Sequence, residues 1–448
     1  MTKPWWREPT RAQWAAFAAA WVGWVLDAFD FTIYICVAGS IVKEFGVSPT
    51  AVAGSLTLTL LVRLGGGMFA GWLADRCGRK LPLMMSLVWF AIFDAAIYFA
   101  PSFTWLLVLR TLFGFGMGAE WTAGTALAME SFPPSGRRFA SGLLQAGWPI
   151  GFLLAAATAY FVVPAFGWRA MFLIAAVPAL LVLPIRAFVP DELAHAKGHS
   201  SRGALRDLAA PAVRRMLVLG SLIMALGFIV YYAMTTSYMG LHLELGFTPA
   251  RGWLDLIWFN VGMLAGVIGA GWVANRFGVI VALVAPALLM VVALPLFVGV
   301  APGAISIGAF LGGALGVGYS GVTPVLTTSL FPEHVRARAI GIVYHVGALI
   351  AAFVPAGLPW LAHRAGWSLE VTIALVVGGG LVAMSAAVLV LRREIAPSAL
   401  DARANGLGRR PEHAPQPSSR HGVRVAPGVE VDLSRAHECG ERGIELGR

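Results

Sequence analysis

The chain has 448 residues, 58% hydrophobic and 12% charged, with a formal net charge of +10. A soluble globular chain carries roughly twice that charged share, so a soluble fold is excluded as the first reading. The basic excess does not point to nucleic acid, because the Lys and Arg residues sit in short segments between apolar runs, as they do in membrane proteins.

A helical span of a hydrocarbon core needs about 20 apolar residues. Met1–Arg11 is basic and runs into such a segment without a small-residue cleavage site, so no cleaved leader is expected. Apolar runs fall at 13–38, 51–73, 81–100, 103–127, 139–162 and 168–189. A charged stretch, 190–215, separates them from six more at 216–241, 253–274, 279–300, 304–330, 338–361 and 367–391. The pattern predicts an all-α membrane protein of twelve transmembrane helices. Residues 1–189 form an N-terminal six-helix bundle, 190–215 a cytoplasmic linker and 216–391 a C-terminal six-helix bundle. Residues 392–448, rich in Arg, Pro, Gly and His, read as a disordered cytoplasmic tail. The 52 Gly and 26 Pro suit membrane helices, where small residues permit close packing.

Lys and Arg set the orientation. With the N-terminus inside, the inner segments hold Lys3, Arg7 and Arg11, then Arg76, Arg79 and Lys80, then Arg137 and Arg138, and further basic residues through Arg393; the outer segments hold only Lys43, Arg169, Arg251 and Arg364. Both termini are therefore expected in the cytoplasm of a multi-pass inner-membrane protein.

The two halves repeat. Gly71-Trp72, Arg76 and Gly78 recur as Gly271-Trp272, Arg276 and Gly278; Phe132-Pro133, Arg137 and Gly142 recur as Phe331-Pro332, Arg336 and Gly341; Gly167-Trp168 recurs as Gly366-Trp367. The offset is 199 or 200 each time, which reads as a parallel duplication of six helices. Transporters built this way place the substrate between the halves, near the midplane.

The segment Gly71-Trp-Leu-Ala-Asp-Arg-Cys-Gly-Arg-Lys80 resembles the signature loop of the major facilitator superfamily, between its second and third helices. The resemblance implies a gating role for Gly71, Asp75, Arg76, Gly78, Arg79 and Lys80, with Asp75 latching the cytoplasmic side against a helix N-terminus. The second copy departs from the pattern, with Asn275 for the acid and Val279 for the Arg. Glu130, Pro133 and Arg137 resemble the acid-proline-arginine gate after helix 4, and Arg110 with Gly114, Gly116 and Gly118 the helix-4 motif. Asp27, Asp30, Arg63, Gly116-Met-Gly-Ala-Glu-Trp121, Ala128-Met-Glu-Ser131 and Gly142-Leu-Leu-Gln145 are similar to the sialate- and lactate-type proton symporters. That likeness implies a secondary transporter moving a small organic carboxylate (a monocarboxylate, a sialate-like or an aromatic acid) with protons, in lipid, as a monomer.

A charge at the bilayer centre costs at least about 2.5–3.5 kcal/mol, so the deep charges need a reason. Arg63 is the candidate carboxylate anchor, because a guanidinium donates two parallel hydrogen bonds and stays charged. Asp27, Asp30 and Tyr34 share one helix face, expected to line the central cavity. Two carboxylates that close cannot both ionise cheaply, which suits a proton carrier; the plainer reading is that they neutralise Arg63 or Arg110. Glu120 is a further candidate proton site or a structural partner. Arg110, near the outer end, reads as an entrance charge or a structural one. Gln145 and His345 are candidate substrate contacts, with Tyr344 and Asn260 nearby polar groups and Tyr231, Tyr232 and Tyr238 as path-lining residues. Asp94, on what should be a peripheral helix, reads as structural, and most Trp residues as lipid-facing anchors.

Cys36, Cys77 and Cys439 have no metal-ligand spacing. No phosphate-cradling loop or nucleophile elbow is present, so neither an enzyme, nor a metal or cofactor site, nor ATP-driven transport is expected. Two other readings remain at this stage: a proton antiporter exporting a drug or metabolite, and a membrane sensor that binds without transport.

Overall fold

The computed structural model describes residues 8–77, 80–177, 207–332 and 335–394. The 392–448 tail past residue 394, the 190–215 segment before residue 207, and Gly78 and Arg79 of the signature loop lie outside them. The described residues fall within one compact unit and contain helices and turns but no strand.

The first half comprises α1 (Arg11–Phe45), α2 (Pro49–Cys77), α3 (Lys80–Tyr98), α4 (Phe103–Ser131), α5 (Arg137–Gln145) and α6 (Gly147–Phe166), followed by a helical stretch over 170–177. The second half comprises α7 (Pro211–Thr236), α8 (Tyr238–Glu244), α9 (Pro249–Phe277), α10 (Val279–Phe297), α11 (Ile305–Leu311), α12 (Thr323–Leu330), α13 (Arg336–Ala351), α14 (Val354–Ala365) and α15 (Leu369–Glu394). Several apolar runs of the sequence are broken helices. α5 and α6 meet at Ala146, α7 and α8 at Ser237, and α11 reaches α12 through a π turn and a 3-10 turn over Gly312–Val322.

Among the described residues, ten helical segments are long and apolar enough to cross a membrane. α4 is not among them, although its 29 residues reach about 43 Å at 1.5 Å per residue. The sixth apolar run is described only to residue 177.

Local signals fix the helix ends. Thr10 and Gln13 form a reciprocal capping box before α1, satisfying two backbone donors that the first turn leaves open. Gly46 closes α1 at φ 63°, a left-handed position that glycine takes without strain. Thr248 caps α9, with Pro249 at its first position.

Packing depends on glycine at the crossings. A Cβ on Gly66 would strike the Phe115 carbonyl and one on Gly114 the Thr59 carbonyl, so α2 and α4 touch backbone to backbone. In the second half, a Cβ on Gly266 would strike the Ala314 carbonyl and one on Gly313 the Phe259 carbonyl. These are the same two contacts moved by 199 or 200 residues.

Candidate transport site

Among the spaces between the halves, two share residues of α7. One, of about 620 Å³, is lined by Trp24, Arg63, Gln145 and Trp148 from the first half, and by Phe228, Tyr231, Tyr232, Met263, Tyr319, Ser320, Thr323 and Tyr344, among others, from the second. The other, of about 1400 Å³, lies toward the end of the bundle away from the 71–80 loop, bounded by residues such as Tyr34, Gly39, Val52, Thr235, Met239 and Trp253. Tyr231 and Tyr232 line both.

The smaller space is an aromatic cage with a single cation in its wall. Trp121 stacks on Tyr344 at 4.3 Å, Trp24 lies 4.4 Å from Trp121 and 4.9 Å from Trp148, and Phe228 meets Tyr344 edge-on at 4.9 Å. Trp148 Nε1 donates to the Tyr231 hydroxyl at 2.8 Å. Arg63 is 2% exposed, with Cζ 5.3 Å from the Tyr344 centroid. Its Nη2 donates to Asp27 Oδ2 at 3.2 Å. Arg63 Nε, Gln145 Oε1 and Ser320 Oγ have no hydrogen-bond partner among the described residues. Buried polar atoms normally find one, so three unmet polar groups around one cavity are a place for a polar ligand.

The walls correspond in sequence but differ in charge. Arg63 and Met263 stand 200 residues apart and both line the cavity, as do Gln145 and Tyr344, 199 apart. The cation therefore belongs to the first half alone.

Asp27 and Asp30, expected to face the cavity together, go to different neighbours, and neither is among the residues that line it. Three residues along a helix turn the second carboxyl by roughly 300°, enough to change its surroundings. Asp27 takes Arg63. Asp30 on α1, Asp94 on α3 and Arg110 of α4 lie in electrostatic range of one another, and none of their side-chain polar atoms has a hydrogen-bond partner among the described residues. All three are fully buried, a cluster of two acids and one base away from water. Tyr34 also turns from the small cavity: it hydrogen-bonds the Ser55 hydroxyl, its ring lies 4.7 Å from Arg110 Cζ, and it borders the larger space.

Arg110 is 0% exposed and its guanidinium also sits 4.4 Å from the Phe113 ring, a buried position and not an entrance. Glu120 accepts from Ser86 Oγ at 2.8 Å. His345 directs Nε2 to the Gly118 carbonyl at 3.1 Å and the Thr122 hydroxyl at 3.3 Å, so it joins α13 to α4 and does not line the cavity. Asn260 donates to the Leu256 carbonyl of its own helix at 2.9 Å. Gln145 does line the cavity.

At the end of the bundle holding the signature loop, the halves interlock. Ser141 Oγ donates to the Gly321 carbonyl at 2.8 Å and accepts from Val325 N at 3.2 Å, while Arg138 Nη1 donates to the Ala274 carbonyl at 3.2 Å. Gly71 packs on Arg338, where a Cβ would come within 3.0 Å of its Cα. Arg336 reaches Glu130 across the halves at 3.4 Å. Arg137 donates to the Phe132 carbonyl at 2.9 Å, and Arg336 to the Phe331 carbonyl at 3.2 Å, the duplicated position. Arg76 lies 4.3 Å from the Trp72 ring, and Lys80 opens α3. The Asp75 side chain lies outside the described residues.

The two halves thus interlock at the signature-loop end, with a lined cavity beyond. The profile of the Major Facilitator Superfamily matches residues 20–324, well over half of the chain. The chain belongs to the major facilitator superfamily. It is 29% identical over 391 residues to the cis,cis-muconate transport protein of Acinetobacter baylyi, covering 84% of this chain and 91% of that one. It is 25% identical over 393 residues to the sialic acid transporter NanX of Escherichia coli, covering 85% and 95%. Its fold is similar to that of the proton:xylose symporter XylE bound to 6-bromo-6-deoxy-D-glucose, with TM-score 0.71, 19% identity and 85% and 95% coverage. The chain is thus a multi-pass membrane transporter of this superfamily, not an enzyme.

Sequence reasoning placed Tyr231 and Tyr232 on the path but missed the Asp30–Asp94–Arg110 cluster and the tryptophans of the cage. Asp94 carried a usable signal, since a charge deep in a helix needs a partner wherever that helix lies. The cage carried none, because a cavity Trp and a lipid-facing Trp look alike in one sequence.

Proposed function

We propose that the protein is a proton-coupled symporter of a small organic carboxylate, working by alternating access between two six-helix bundles with both termini in the cytoplasm. The observation that carries this reading is Arg63, a buried cation in the wall of a cavity between the halves that is lined mainly by aromatic and aliphatic side chains. The two glycine contacts that recur in the second half support the duplication. The Lys and Arg bias supports the orientation, which places the larger space on the outer side as a vestibule and the interlocked end in the cytoplasm. On this reading the twelve spans divide as 1–189 and 216–391, and the chain acts as a monomer in the inner membrane.

Coupling follows from shared occupancy of Arg63. Asp27 holds one Nη2 hydrogen, which a substrate carboxylate needs for a two-pronged bond. A proton on Asp27 removes its charge and weakens its hold, so the guanidinium turns to the substrate. The loaded cavity is then neutral, whereas an unneutralised charge opposes closure, because closing strips water from it. Asp30, with Asp94 and Arg110, forms a second proton-holding group one helix turn away. Glu130, Arg137 and the signature loop bias which side is open and do not touch the substrate.

The aromatic walls favour a planar or conjugated acid among carboxylates, since π faces stack on such groups. The muconate and sialic acid transporters, both organic-acid carriers by name, support the carboxylate class. Trp24 and Trp148 line the cavity, so their fluorescence reports occupancy. The test titrates aromatic and aliphatic acids, and the matching neutral amides, into the purified protein and its Trp148→Phe variant. Saturable quenching by an acid but not by its amide, diminished in the variant, is the expected result. Equal binding of acid and amide would overturn the carboxylate reading.

A further inference from the structure

The seven-residue α8 continues α7 beyond the break at Ser237 and borders the larger space through Met239. It lies tight on α9, where a Cβ on Gly252 would come within 2.7 Å of Met239 Sδ. Beneath that contact, His242 of α8 and Asp255 of α9 meet, and both side chains are 0% exposed.

Both ring nitrogens of His242 face oxygen acceptors. Nδ1 lies 2.9 Å from the Tyr238 carbonyl and Nε2 lies 2.9 Å from Asp255 Oδ2. A carbonyl oxygen only accepts, so Nδ1 carries a hydrogen. The second contact needs another hydrogen, on the imidazole or on the carboxyl. Arg251 Nε donates to the same Oδ2 at 3.1 Å, and the Ser306 hydroxyl of α11 donates to Oδ1; two donors favour the ionised carboxylate. On either assignment the pair holds one proton more than a neutral imidazole beside a carboxylate. Without it, one of the two 2.9 Å contacts sets lone pair against lone pair, away from water.

The groups facing His242 are few. α9 presents Asp255 and Arg251, and α8 itself presents Tyr238, whose ring stands 4.4 Å away. α11 presents Ser306 and the following loop Phe247, α10 stacks Phe297 on Tyr238, and Glu244 turns to the Leu369 amide of α15. Arg251 is 39% exposed, which gives the network a route to bulk water.

We propose that His242 and Asp255 form a proton-binding site on the outer side of the second half, and that its occupancy fastens α8 to α9 beside the vestibule. Loss of the proton frees α8. The proposal rests on the orientation given above and is independent of the substrate.

The test reads α8 directly. Cys36, Cys77 and Cys439 are replaced by serine, and Met239→Cys is alkylated on intact cells with a membrane-impermeant maleimide from about pH 5 to about pH 9. Gly39→Cys, on the α1 wall of the vestibule with open space at its Cβ, supplies the intrinsic pH dependence of a thiol. The ratio of the two rates is expected to rise about tenfold with pH, the worth of one charge-assisted hydrogen bond. In the His242→Gln background, which holds no such proton, the ratio is expected to stay flat; Asp255→Asn serves if the Gln variant does not fold. A flat ratio with His242 present, or an equal rise in the variants, overturns the proposal. Labelling of Gly39→Cys only after permeabilisation would fault the orientation instead, and the ratio in permeabilised cells would then decide the proton site.

Discussion

Removing the Arg63 guanidinium separates binding from folding. Arg63 is 2% exposed, bonds Asp27 at 3.2 Å, and leaves Nε unmatched in the cavity wall. Arg63→Ala alone strands Asp27 in a dry site, and a buried carboxylate left without its partner costs about 3–5 kcal/mol unless it takes up a proton. Arg63→Ala with Asp27→Asn removes both charges together, so the double variant is expected to unfold within a few degrees of the parent. It still loses the carboxylate contact. A hydrogen bond to a charged group contributes about 1.5–3 kcal/mol, so affinity should fall about ten- to a hundred-fold per bond lost. Arg63→Lys keeps the charge but not the two-pronged geometry, and should fall between. Calorimetric titration at one pH, alongside thermal unfolding, gives both quantities. A folded double variant that binds the acid within about threefold of the parent, where one lost bond alone predicts about tenfold, would refute the anchor.

Asp27→Asn and Asp30→Asn should each abolish accumulation driven by a pH gradient while leaving exchange of preloaded substrate measurable; retention of gradient-driven accumulation by both would place the proton elsewhere. Gly118→Ala would put a Cβ 2.1 Å from the Arg63 carbonyl oxygen and 2.5 Å from Gly67 N, and overpacking of this kind costs about 1–3 kcal/mol, so its melting temperature should fall; an unchanged melting temperature would show that α2 and α4 have room to part. Ser141→Ala removes two bonds that join the halves, at 2.8 and 3.2 Å, each contributing about 1 kcal/mol. The end holding the signature loop should then open more often, read as faster alkylation of a cysteine placed at that end; an unchanged rate would deny Ser141 a gating role.

Much of the architecture is legible in the sequence because lipid is a strict solvent. The apolar runs follow from the cost of exposing polar groups to hydrocarbon, the Lys and Arg bias from the uneven placing of basic residues about a membrane, and the 199–200 offset from repetition in the sequence itself. The depth of Arg63 follows from helix rise alone. What escapes is rotation and breakage. Asp27 and Asp30 look like one pair along the chain, yet a small turn about the α1 axis gives them to Arg63 and Asp94. Tyr238 reads as part of a continuous helix 7 and His242 falls just past that run, and the break at Ser237 is what sets α8 against Asp255. His345 shows the same limit, since a buried ring bonded to Gly118 and Thr122 looks identical in sequence to one that faces a cavity.

The most direct measurement is uptake of an organic acid that the protein binds, into proteoliposomes carrying an imposed inward proton gradient. Accumulation above the external concentration, collapsed by a protonophore and absent in the Arg63→Ala/Asp27→Asn variant, is the predicted result. Faster loss of preloaded acid under that same gradient, or uptake indifferent to it, would contradict proton-coupled symport.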